Sequence, residues 1–330
     1  MNAKTRNFIV FFAAGALLLA SAFLALRLGS VPLSSAEFWG GMLQKEGYET
    51  YTAIFYSSRL PRVLGAILAG VAFSQAGTLL QRVTDNPLAS PNILGINAGA
   101  GFAVLLLLVC FPLAYAFLPL AAFLGALLAT FLILGVARSA GMSRAVIVLA
   151  GVALSALFQA GISFLSVVDP DALSSYIDFS VGGLHGVKTE DLLFPAVLIL
   201  ACLVASQLLS KKLALFCLGD TLAGSLGVSV KRVRLFSLIA AAASAAAAVS
   251  FTGLIGFVGL IVPHTARALV KGNMRGELCL SPMLGAALLL LADLLARTLF
   301  APTEIPVGVF TALLGVPFFL ALVLRRKRHV

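Results

Sequence analysis

Residues 8–26 read FIVFFAAGALLLASAFLAL, an unbroken apolar run that follows Lys4 and Arg6 and ends before Arg27. A helix needs about 20 predominantly apolar residues to cross the hydrocarbon core of a bilayer. A secretory signal peptide has the same order of charge, but its apolar core is usually only about 7–15 residues long. We therefore expect this run to be a retained first transmembrane helix.

The whole chain has the composition of a membrane protein. Of its 330 residues, 61% are hydrophobic and 11% are charged, and the mean hydropathy is +1.07. Soluble domains contain about 25% charged residues and about 45–50% apolar residues. This composition excludes a soluble enzyme and favours an all-α polytopic membrane protein, with residues 1–330 forming a single transmembrane domain.

Further apolar runs predict nine more membrane-spanning helices after the first. The ten predicted spans are 8–26, 60–82, 92–111, 114–137, 144–167, 191–210, 233–251, 254–271, 279–299 and 306–324. The alanine-rich run at 240–248 lacks bulky side chains, and small residues allow helices to pack closely in lipid. We expect that helix to be buried among its neighbours.

The basic residues set the orientation of these spans. If both termini are cytoplasmic, 17 of the 23 Lys and Arg residues fall inside, including the basic tail at 325–328, and 6 fall outside. Such an excess of cytoplasmic Lys and Arg is typical of membrane proteins. The formal net charge of +10 is explained in this way without nucleic acid. The four Cys and three His residues have no metal-ligand spacing, so we predict no metal site.

A polar, proline-containing segment interrupts the apolar pattern at Asn86-Pro87-Leu88-Ala89-Ser90-Pro91. Two prolines four residues apart do not fit within one regular helix. The segment is either an ordinary turn or an irregular stretch that lines the inner mouth of a transport pathway, since non-helical backbone at membrane depth requires protein or water beside it. Gln75, Gln81 and Asn97 nearby would line that pathway or form hydrogen bonds between helices.

Three blocks of sequence resemble the FecCD-type permease family of ABC importers. They are RLPR at 59–62 with QAG at 75–77 and NPLASPNILG at 86–95, then GLIGFVGLIVPHTAR at 253–267, then AD at 292–293 with EIPVG at 304–308 and LGVP at 314–317. The resemblance implies a ten-helix, cobalamin-importer-like permease in the bacterial inner membrane. It also implies a second permease subunit, identical or homologous, two cytoplasmic ATPases and an extracytoplasmic substrate-binding protein.

ATP must then be bound by another chain, because this one has no GxxxxGK[ST] phosphate loop. We predict no cofactor in this chain and no enzymatic activity of its own; ATP and Mg would be bound by the ATPase. The longest predicted cytoplasmic loop, 210–232, contains a short helix capped by Asp220 and ended by Gly227, with an apolar face that a partner would cover. In the family this loop couples to the ATPase; a self-packed loop is the alternative. The predicted coupling residues are Gly219, Asp220, Leu222, Ala223, Leu226 and Gly227.

Arg59, Arg62 and Arg297 lie on a predicted outer face that is otherwise acidic. Each would anchor a helix end or, as the resemblance implies, dock the binding protein. Asp293 precedes Arg297 by four residues, which favours an ion pair on one helix, and we predict a structural role for it. The resemblance also implies an inner gate formed by Asn86, Pro87 and Leu88, together with the segment from Gly141 to Ser143.

The scarcity of ionisable residues within the spans separates the candidate functions. Ion-coupled secondary transporters carry acidic or histidine residues inside their spans, and a bare metal cation would require carboxylate or thiolate ligands. Only Asp293 qualifies, and it has a local arginine partner. This scarcity argues against ion coupling and suits an already chelated cargo. The resemblance implies ATP-driven alternating-access import of that cargo, with ferric siderophore as first choice because it is the most frequent substrate in the family, and with haem or cobalamin as alternatives.

Overall fold

The computed structural model describes residues 3–92 and 94–326, and over these residues the chain forms helices and no strand. The predicted basic tail at Lys327 and Arg328, and Ile93 of the proline-containing segment, lie outside this range. The helices are α1 Ala3–Arg27, α2 Ser35–Met42, α3 Glu49–Ile54, α4 Leu60–Thr84, α5 Ile96–Cys110, α6 Leu118–Ser139, α7 Arg144–Val168, α8 Pro170–Val181, α9 Thr189–Leu215, α10 Asp220–Ser225, α11 Val230–Thr252, α12 Val258–Leu269, α13 Met274–Thr298 and α14 Val307–Arg326.

The described residues contain 7 helices that are long and apolar enough to span a membrane, namely α1, α4 with its N-terminal extension from Glu49, α6, α7, α9, α11 and α13. Helices α5 and α14 occupy two more of the predicted spans. The predicted span at 254–271 differs most, because α12 has only 12 residues and follows a non-helical stretch. At 1.5 Å per residue α12 is about 18 Å long, short of the roughly 30 Å hydrocarbon core.

Helix α4 lies at the centre of the bundle and packs against α9, α11, α12 and α13. Two glycines allow this contact at backbone distance: a Cβ atom on Gly70 would overlap the backbone of Gly285 in α13, and one on Gly77 would overlap the backbone of Gly259 in α12. The alanine-rich part of α11 is buried beside α4, which confirms the prediction from its small side chains.

The start and the end of α4 define two ends of the molecule. Arg62 lies in its first turn, and Asp85 directly follows its last residue with a left-handed φ of 50°. The 25 residues of α4 place these ends about 37 Å apart. We call them the Arg62 end and the Asp220 end, because Asp220 and Asp85 both form ion pairs with Arg144.

Candidate functional site

At the Arg62 end, a buried carboxylate is shared by two arginines from different helices. The Nε atom of Arg62 on α4 donates to both oxygens of Asp293 on α13, at 2.9 and 3.1 Å. The Nε atom of Arg297, one turn after Asp293, lies 3.5 Å from the same carboxylate. This confirms the predicted Asp293–Arg297 pair and adds Arg62 as its shorter contact. A second carboxylate, Glu304, accepts from Nη1 of Arg62 at 2.7 Å.

Arg59 and Arg297 close the C-terminal end of α1. Nη1 of Arg59 donates to the carbonyl oxygens of Leu26 and Arg27, each at 2.8 Å, and Nη2 donates to Val31. Nη2 of Arg297 donates to the carbonyl of Ala25 at 2.5 Å. The last carbonyl groups of a helix lack partners within it and carry partial negative charge, so cations are favourable there. Arg59 and Arg297 therefore attach α1 to α4 and α13.

All three arginines predicted for docking are buried rather than projecting from the surface. Arg59, Arg62 and Arg297 are 3%, 8% and 2% exposed, respectively. Direct contact with a partner requires an accessible guanidinium group, and Arg62 lines a cavity open to the outside of the bundle. The docking role remains a prediction, with Arg59 and Arg297 holding the helices beneath that cavity.

A cavity of about 620 Å³ opens at the Arg62 end. Its charged and titratable wall consists of Arg62, Asp178, His185 and Glu304; the remaining wall is mostly apolar or backbone. Burial alone raises the pKa of Glu304, but the hydrogen bond and positive charge of Arg62 outweigh burial and hold that pKa below its usual value. Glu304 is therefore ionised at neutral pH, and its charge compensates that of Arg62.

At the Asp220 end, another shared carboxylate joins three parts of the chain. Oδ1 of Asp220 accepts from Nη2 of Arg144 at 2.9 Å, and Oδ2 accepts from Nη2 of Arg234 at 2.7 Å. Nη1 of Arg144 also donates to Asp85 at 2.5 Å, just after α4. Burial raises the pKa of Asp220, but Arg234 and Arg144 overcome that effect and the net shift is downward. The short helix α10 is thus tied by charge to the ends of α4, α7 and α11.

The predicted coupling helix is present as α10, with two differences from the sequence-based interpretation. Gly219, with φ 89°, occupies the N-cap position, and Asp220 is the first helical residue whose carboxylate binds arginines instead of capping. Ala223 is buried, so it does not share the exposed face of Leu222 and Leu226, which are 57% and 60% exposed. The small Ala223 faces the protein, and the two leucines, four residues apart, face outward.

The end of α10 is as predicted. Gly227 has φ 83°, a left-handed conformation that glycine adopts without a Cβ clash. The amide of Val228 donates to the carbonyl of Ala223 at 3.1 Å, which closes the last turn. The exposed leucine pair therefore lies on a short helix with defined ends.

The predicted gate residues lie outside regular helices or at their ends. Asn86, Pro87 and Leu88 follow α4 in a non-helical, partly buried stretch, where Oδ1 of Asn86 accepts from the amide of Leu88 at 3.0 Å. Ser143 is the N-cap of α7 and accepts from the amide of Val146. The irregular backbone predicted from the two prolines is confirmed, and the Asp85–Arg144 ion pair joins the two segments.

The polar residues considered for the pathway lie within the packed bundle. Nε2 of Gln75 donates to the hydroxyl of Ser206 on α9 at 3.3 Å, and Nε2 of Gln81 donates to the carbonyl of Gly259 at 3.3 Å. Gln75, Gln81 and Asn97 are 1%, 2% and 4% exposed. Of the two sequence-based alternatives, hydrogen bonding between helices is the one observed for both glutamines.

Several residues of these networks had no individual role predicted in the sequence analysis. Asp85, Arg144 and Arg234 belong to the Asp220 network, and Glu304 belongs to the Arg62 cluster. Glu277, which is fully buried, pairs with Arg82 and Arg267 and links α4, α12 and α13. Their partners are distant along the chain, and the sequence carries only one local signal: Ser143 before Arg144 predicts a helix start.

Comparison with known proteins assigns the chain to a family. The FecCD transport family matches residues 17–325. The chain is 37% identical over 327 residues to the hemin transport system permease protein HmuU of Yersinia pestis, covering 96% of each chain. It is 39% identical over 276 residues to the Fe(3+)-citrate import system permease protein YfmE of Bacillus subtilis (strain 168), covering 83% of this chain and 82% of the relative.

The fold is also that of a solved transporter. A transporter described as of the metal-chelate ABC type, solved in an inward-facing conformation, superposes with a TM-score of 0.85 at 30% sequence identity, covering 96% of this chain and 99% of the other. The matched residues include every helix from α4 to α13 and thus both charge networks. On the agreement of family, relatives and fold, this inner-membrane protein belongs to the FecCD transport family.

Proposed function

We propose that this chain is the permease subunit of a binding-protein-dependent ABC importer that moves a metal chelate, with ferric siderophore as first choice, into the cell. The observation that carries the proposal is the FecCD match over residues 17–325. The relatives named as permeases for hemin and for Fe(3+)-citrate support a chelated-metal cargo. ATP hydrolysis belongs to a separate ATPase chain.

The topology proposed for this function has ten membrane helices with both termini in the cytoplasm. In it α12 enters the membrane as a short helix beside α4 and α14. The Asp220 end then faces the cytoplasm and the Arg62 end faces outward, as the excess of Lys and Arg at the Asp220 end favours. Residues 210–232 form the cytoplasmic coupling loop.

The geometry of α10 supports a mechanical link to the ATPase. Leu222 and Leu226 are exposed on a cytoplasmic helix, where an apolar pair is stabilised by a partner groove. Asp220 at the start of this helix holds Arg144 and Arg234. Displacement of α10 when the ATPases close therefore pulls on α7 and α11, and through Asp85 on the end of α4 and the gate segment beyond it.

At the outer end, the 620 Å³ cavity is the proposed contact for the binding protein. Arg62 and Glu304 supply opposite charges at its wall, and His185 is exposed beside them. Arg59 and Arg297 contribute by fixing α1, α4 and α13 beneath it. A second permease subunit, identical or homologous, completes the transport pathway between the two chains.

Buried charges in the described bundle support an external energy source. Asp293 is held by Arg62 and Arg297, and Glu277 is held by Arg82 and Arg267. A carboxylate that carries protons or sodium through a cycle has to be available to the ion. These two carboxylates already neutralise arginines, which favours ATP-driven transport over ion coupling.

Uptake by the reconstituted importer tests the function. Proteoliposomes containing the permease, its ATPase and its binding protein are supplied with labelled ferric siderophore, haem or cobalamin, with a hydrolysis-deficient ATPase as control. We expect ATP-dependent accumulation of ferric siderophore. Accumulation driven by a proton or sodium gradient without the ATPase would refute the proposal.

The similarity to HmuU over 96% of both chains favours haem permease as the second candidate. The same experiment separates the two, because haem accumulation with no siderophore accumulation would select it. Accumulation of cobalamin alone would select a cobalamin permease instead.

Contact with the ATPase is tested by Leu226→Arg, with Leu269→Arg as the matched control. Both leucines are exposed, at 60% and 40%, but Leu269 lies at the end of α12 and outside the coupling loop. We expect Leu226→Arg to abolish co-purification of the ATPase and Leu269→Arg to retain it. Equal co-purification would contradict the role of α10.

The orientation is tested by cysteine labelling in a background without the native cysteines. Asp171→Cys, at the exposed start of α8, should react with an impermeant thiol reagent added to intact spheroplasts. Ser139→Cys, exposed at the end of α6, should react only after the membrane is opened. The reverse pattern would overturn the topology.

A further inference from the structure

Three cationic side chains surround a cavity of about 280 Å³ at the Asp220 end. Arg138 lies in the last turn of α6, and Lys231 and Arg232 lie in the first turn of α11; Gly141, Met142 and Leu235 complete the wall. All three cations are exposed, and no acidic side chain of the described residues pairs with them. The cavity wall therefore concentrates positive charge without a carboxylate.

Neighbouring arginines show that the chain does neutralise cations at this end. Arg144, two residues after Met142, pairs with Asp85 and Asp220. Arg234, two residues after Arg232, pairs with Asp220. Uncompensated like charges repel one another, so three cations around one cavity are stabilised by an anion from outside the chain.

An apolar groove begins on α11 one residue after the last residue of this cavity. Phe236 directly follows Leu235 and begins a groove of about 470 Å³ between α9 and α11, whose apolar wall includes Leu208 on α9 and Phe236, Ile239 and Ala243 on α11. From Arg232 to Ala243 the helix rises about 16 Å, close to half of the roughly 30 Å hydrocarbon core. The basic cavity and the apolar groove thus follow one another along α11 with the span of a single leaflet.

We propose that these two features form a binding site for an anionic phospholipid of the cytoplasmic leaflet, with the phosphate in the Arg138–Lys231–Arg232 cavity and an acyl chain in the α9/α11 groove. Basic pockets at the cytoplasmic ends of membrane helices are suited to anionic head groups. A soluble anion would fill only the basic cavity and leave the groove uncovered. The site rests on the proposed orientation of the Asp220 end toward the cytoplasm.

The site has a direct structural connection to the coupling network. The carbonyl of Met142, in the cavity wall, accepts from Nη1 of Arg234 at 2.6 Å, and Arg234 holds Asp220. A head group in the cavity therefore contacts the segment that joins α6 to α7, one residue before the Ser143 N-cap. Lipid occupancy stabilises the position of that segment relative to α10.

The first experiment measures lipid retention by the purified full-length permease, using native mass spectrometry and phosphatidylglycerol, with phosphatidylcholine as the neutral lipid. The site variant is Arg138→Gln, Lys231→Gln and Arg232→Gln. The control is Lys4→Gln, Lys271→Gln and Arg275→Gln, which removes the same charge from exposed residues at the same end but outside the cavity. Each cation near an anionic head group strengthens binding about fivefold. We therefore expect the site variant, which lacks three cations, to bind phosphatidylglycerol about a hundredfold more weakly. The control should bind it as the parent does.

A second variant tests the groove without changing charge. Ala243→Phe places a bulky side chain in the α9/α11 groove, and we expect it to reduce phosphatidylglycerol retention while inorganic phosphate binding is unaffected. Equal retention by parent, site variant and control would overturn the site. Release of the lipid by millimolar inorganic phosphate would identify a soluble-anion site instead.

A contact with the ATPase is the remaining alternative and has its own outcome. If the site variant loses the ATPase but keeps phosphatidylglycerol, the cations serve a protein partner and the lipid site is refuted. Lipid retention is measured on the isolated chain without transport. If the parent retains phosphatidylglycerol but the importer does not take up any chelate, only the proposed importer function is contradicted. If the parent importer takes up chelate but the isolated chain does not retain phosphatidylglycerol, only the lipid site is contradicted.

Discussion

Both ends of the helix bundle are built around one aspartate shared by two arginines, yet the two aspartates differ in exposure. The Asp293 side chain is 1% exposed between Arg62 and Arg297, whereas the Asp220 side chain is 40% exposed between Arg144 and Arg234. Asp293 lies within a long helix and Asp220 at the start of a helix of six residues. The same charge arrangement therefore serves a rigid junction at one end and an accessible one at the other.

The difference follows from what surrounds each carboxylate. Beside Asp293, Arg297 also donates to the carbonyl of Ala25, and Arg59 donates to the carbonyl of Leu26, so α1, α4 and α13 are fixed together by buried side chains. Around Asp220, solvent reaches the carboxylate and screens its ion pairs, which lowers the free energy needed to separate them. In the proposed importer, the junction at the Asp220 end is therefore the one expected to move during transport, and the junction at the Arg62 end is the one expected to hold.

Removal of the buried carboxylate gives the largest expected effect. Asp293→Ala leaves Arg62 and Arg297 buried without their shared partner, and loss of one member of a buried pair costs about 3–5 kcal/mol. We expect a strongly lowered melting temperature for the detergent-purified chain. Asp178→Ala, exposed near the same cavity and without an ion pair among the described residues, is the control. Equal melting temperatures would show that the Arg62 end is not a rigid junction.

An intermediate effect is expected at the accessible end. Asp220→Asn weakens two partly exposed ion pairs, with a loss of stability of about 1.5 kcal/mol, at the lower end for hydrogen bonds to charged groups. ATP-dependent uptake should fall more than tenfold while ATP hydrolysis continues, because α10 is held less firmly to α7 and α11.

Asp85→Asn is the matched variant for that experiment. It removes only the Arg144–Asp85 ion pair, from a side chain that is 69% exposed, and leaves both ion pairs of Asp220 in place, so uptake should fall less than in Asp220→Asn. If Asp220→Asn loses ATP hydrolysis to the same extent as uptake, the ATPase has detached, and the result does not support a mechanical link from Asp220 to α7 and α11.

The smallest effect concerns Glu304, the half-buried member of the Arg62 cluster. Because Arg62 lowers the pKa of Glu304 in the folded protein, the stabilisation is present above the ordinary pKa of about 4.3 and is lost as pH falls through the lowered value. Glu304→Gln should therefore lower the melting temperature slightly at pH 7 and equal the parent at strongly acidic pH. Glu190→Gln, exposed and without an ion pair among the described residues, should equal the parent at both. If the difference in melting temperature between Glu304→Gln and the parent grows as the pH falls, the ion pair between Glu304 and Arg62 is contradicted.

Sequence reasoning predicted the individual helices better than their contacts. Residues 8–26, the alanine-rich run and the break at the two prolines were identified from hydropathy and proline geometry, which are local properties. The span that contains α12 was predicted to begin at residue 254, because the apolar run begins there. In the structure the backbone from Gly253 to Phe257 is not helical, so α12 is shorter than the predicted span.

Side-chain roles were less predictable, since the same residue type serves opposite purposes. Asp220 was expected to cap α10, but two arginines from other helices bind its carboxylate and Gly219 takes the cap. Gln75 and Gln81 fitted a pathway or an interhelical contact equally well in the sequence. In the structure both are buried and form interhelical hydrogen bonds to α9 and α12, and a pathway role for them stays a prediction.

The sequence by itself determined the membrane environment, the helical class, the family motifs and the bias of positive charge, because each depends on composition or on residues close together in the chain. Only the tertiary structure decided which charges are paired. Arg62 and Asp293 are 231 residues apart in sequence and 2.9 Å apart in space. Ion pairing depends on distance and on exclusion of water, and both are set when the helices pack.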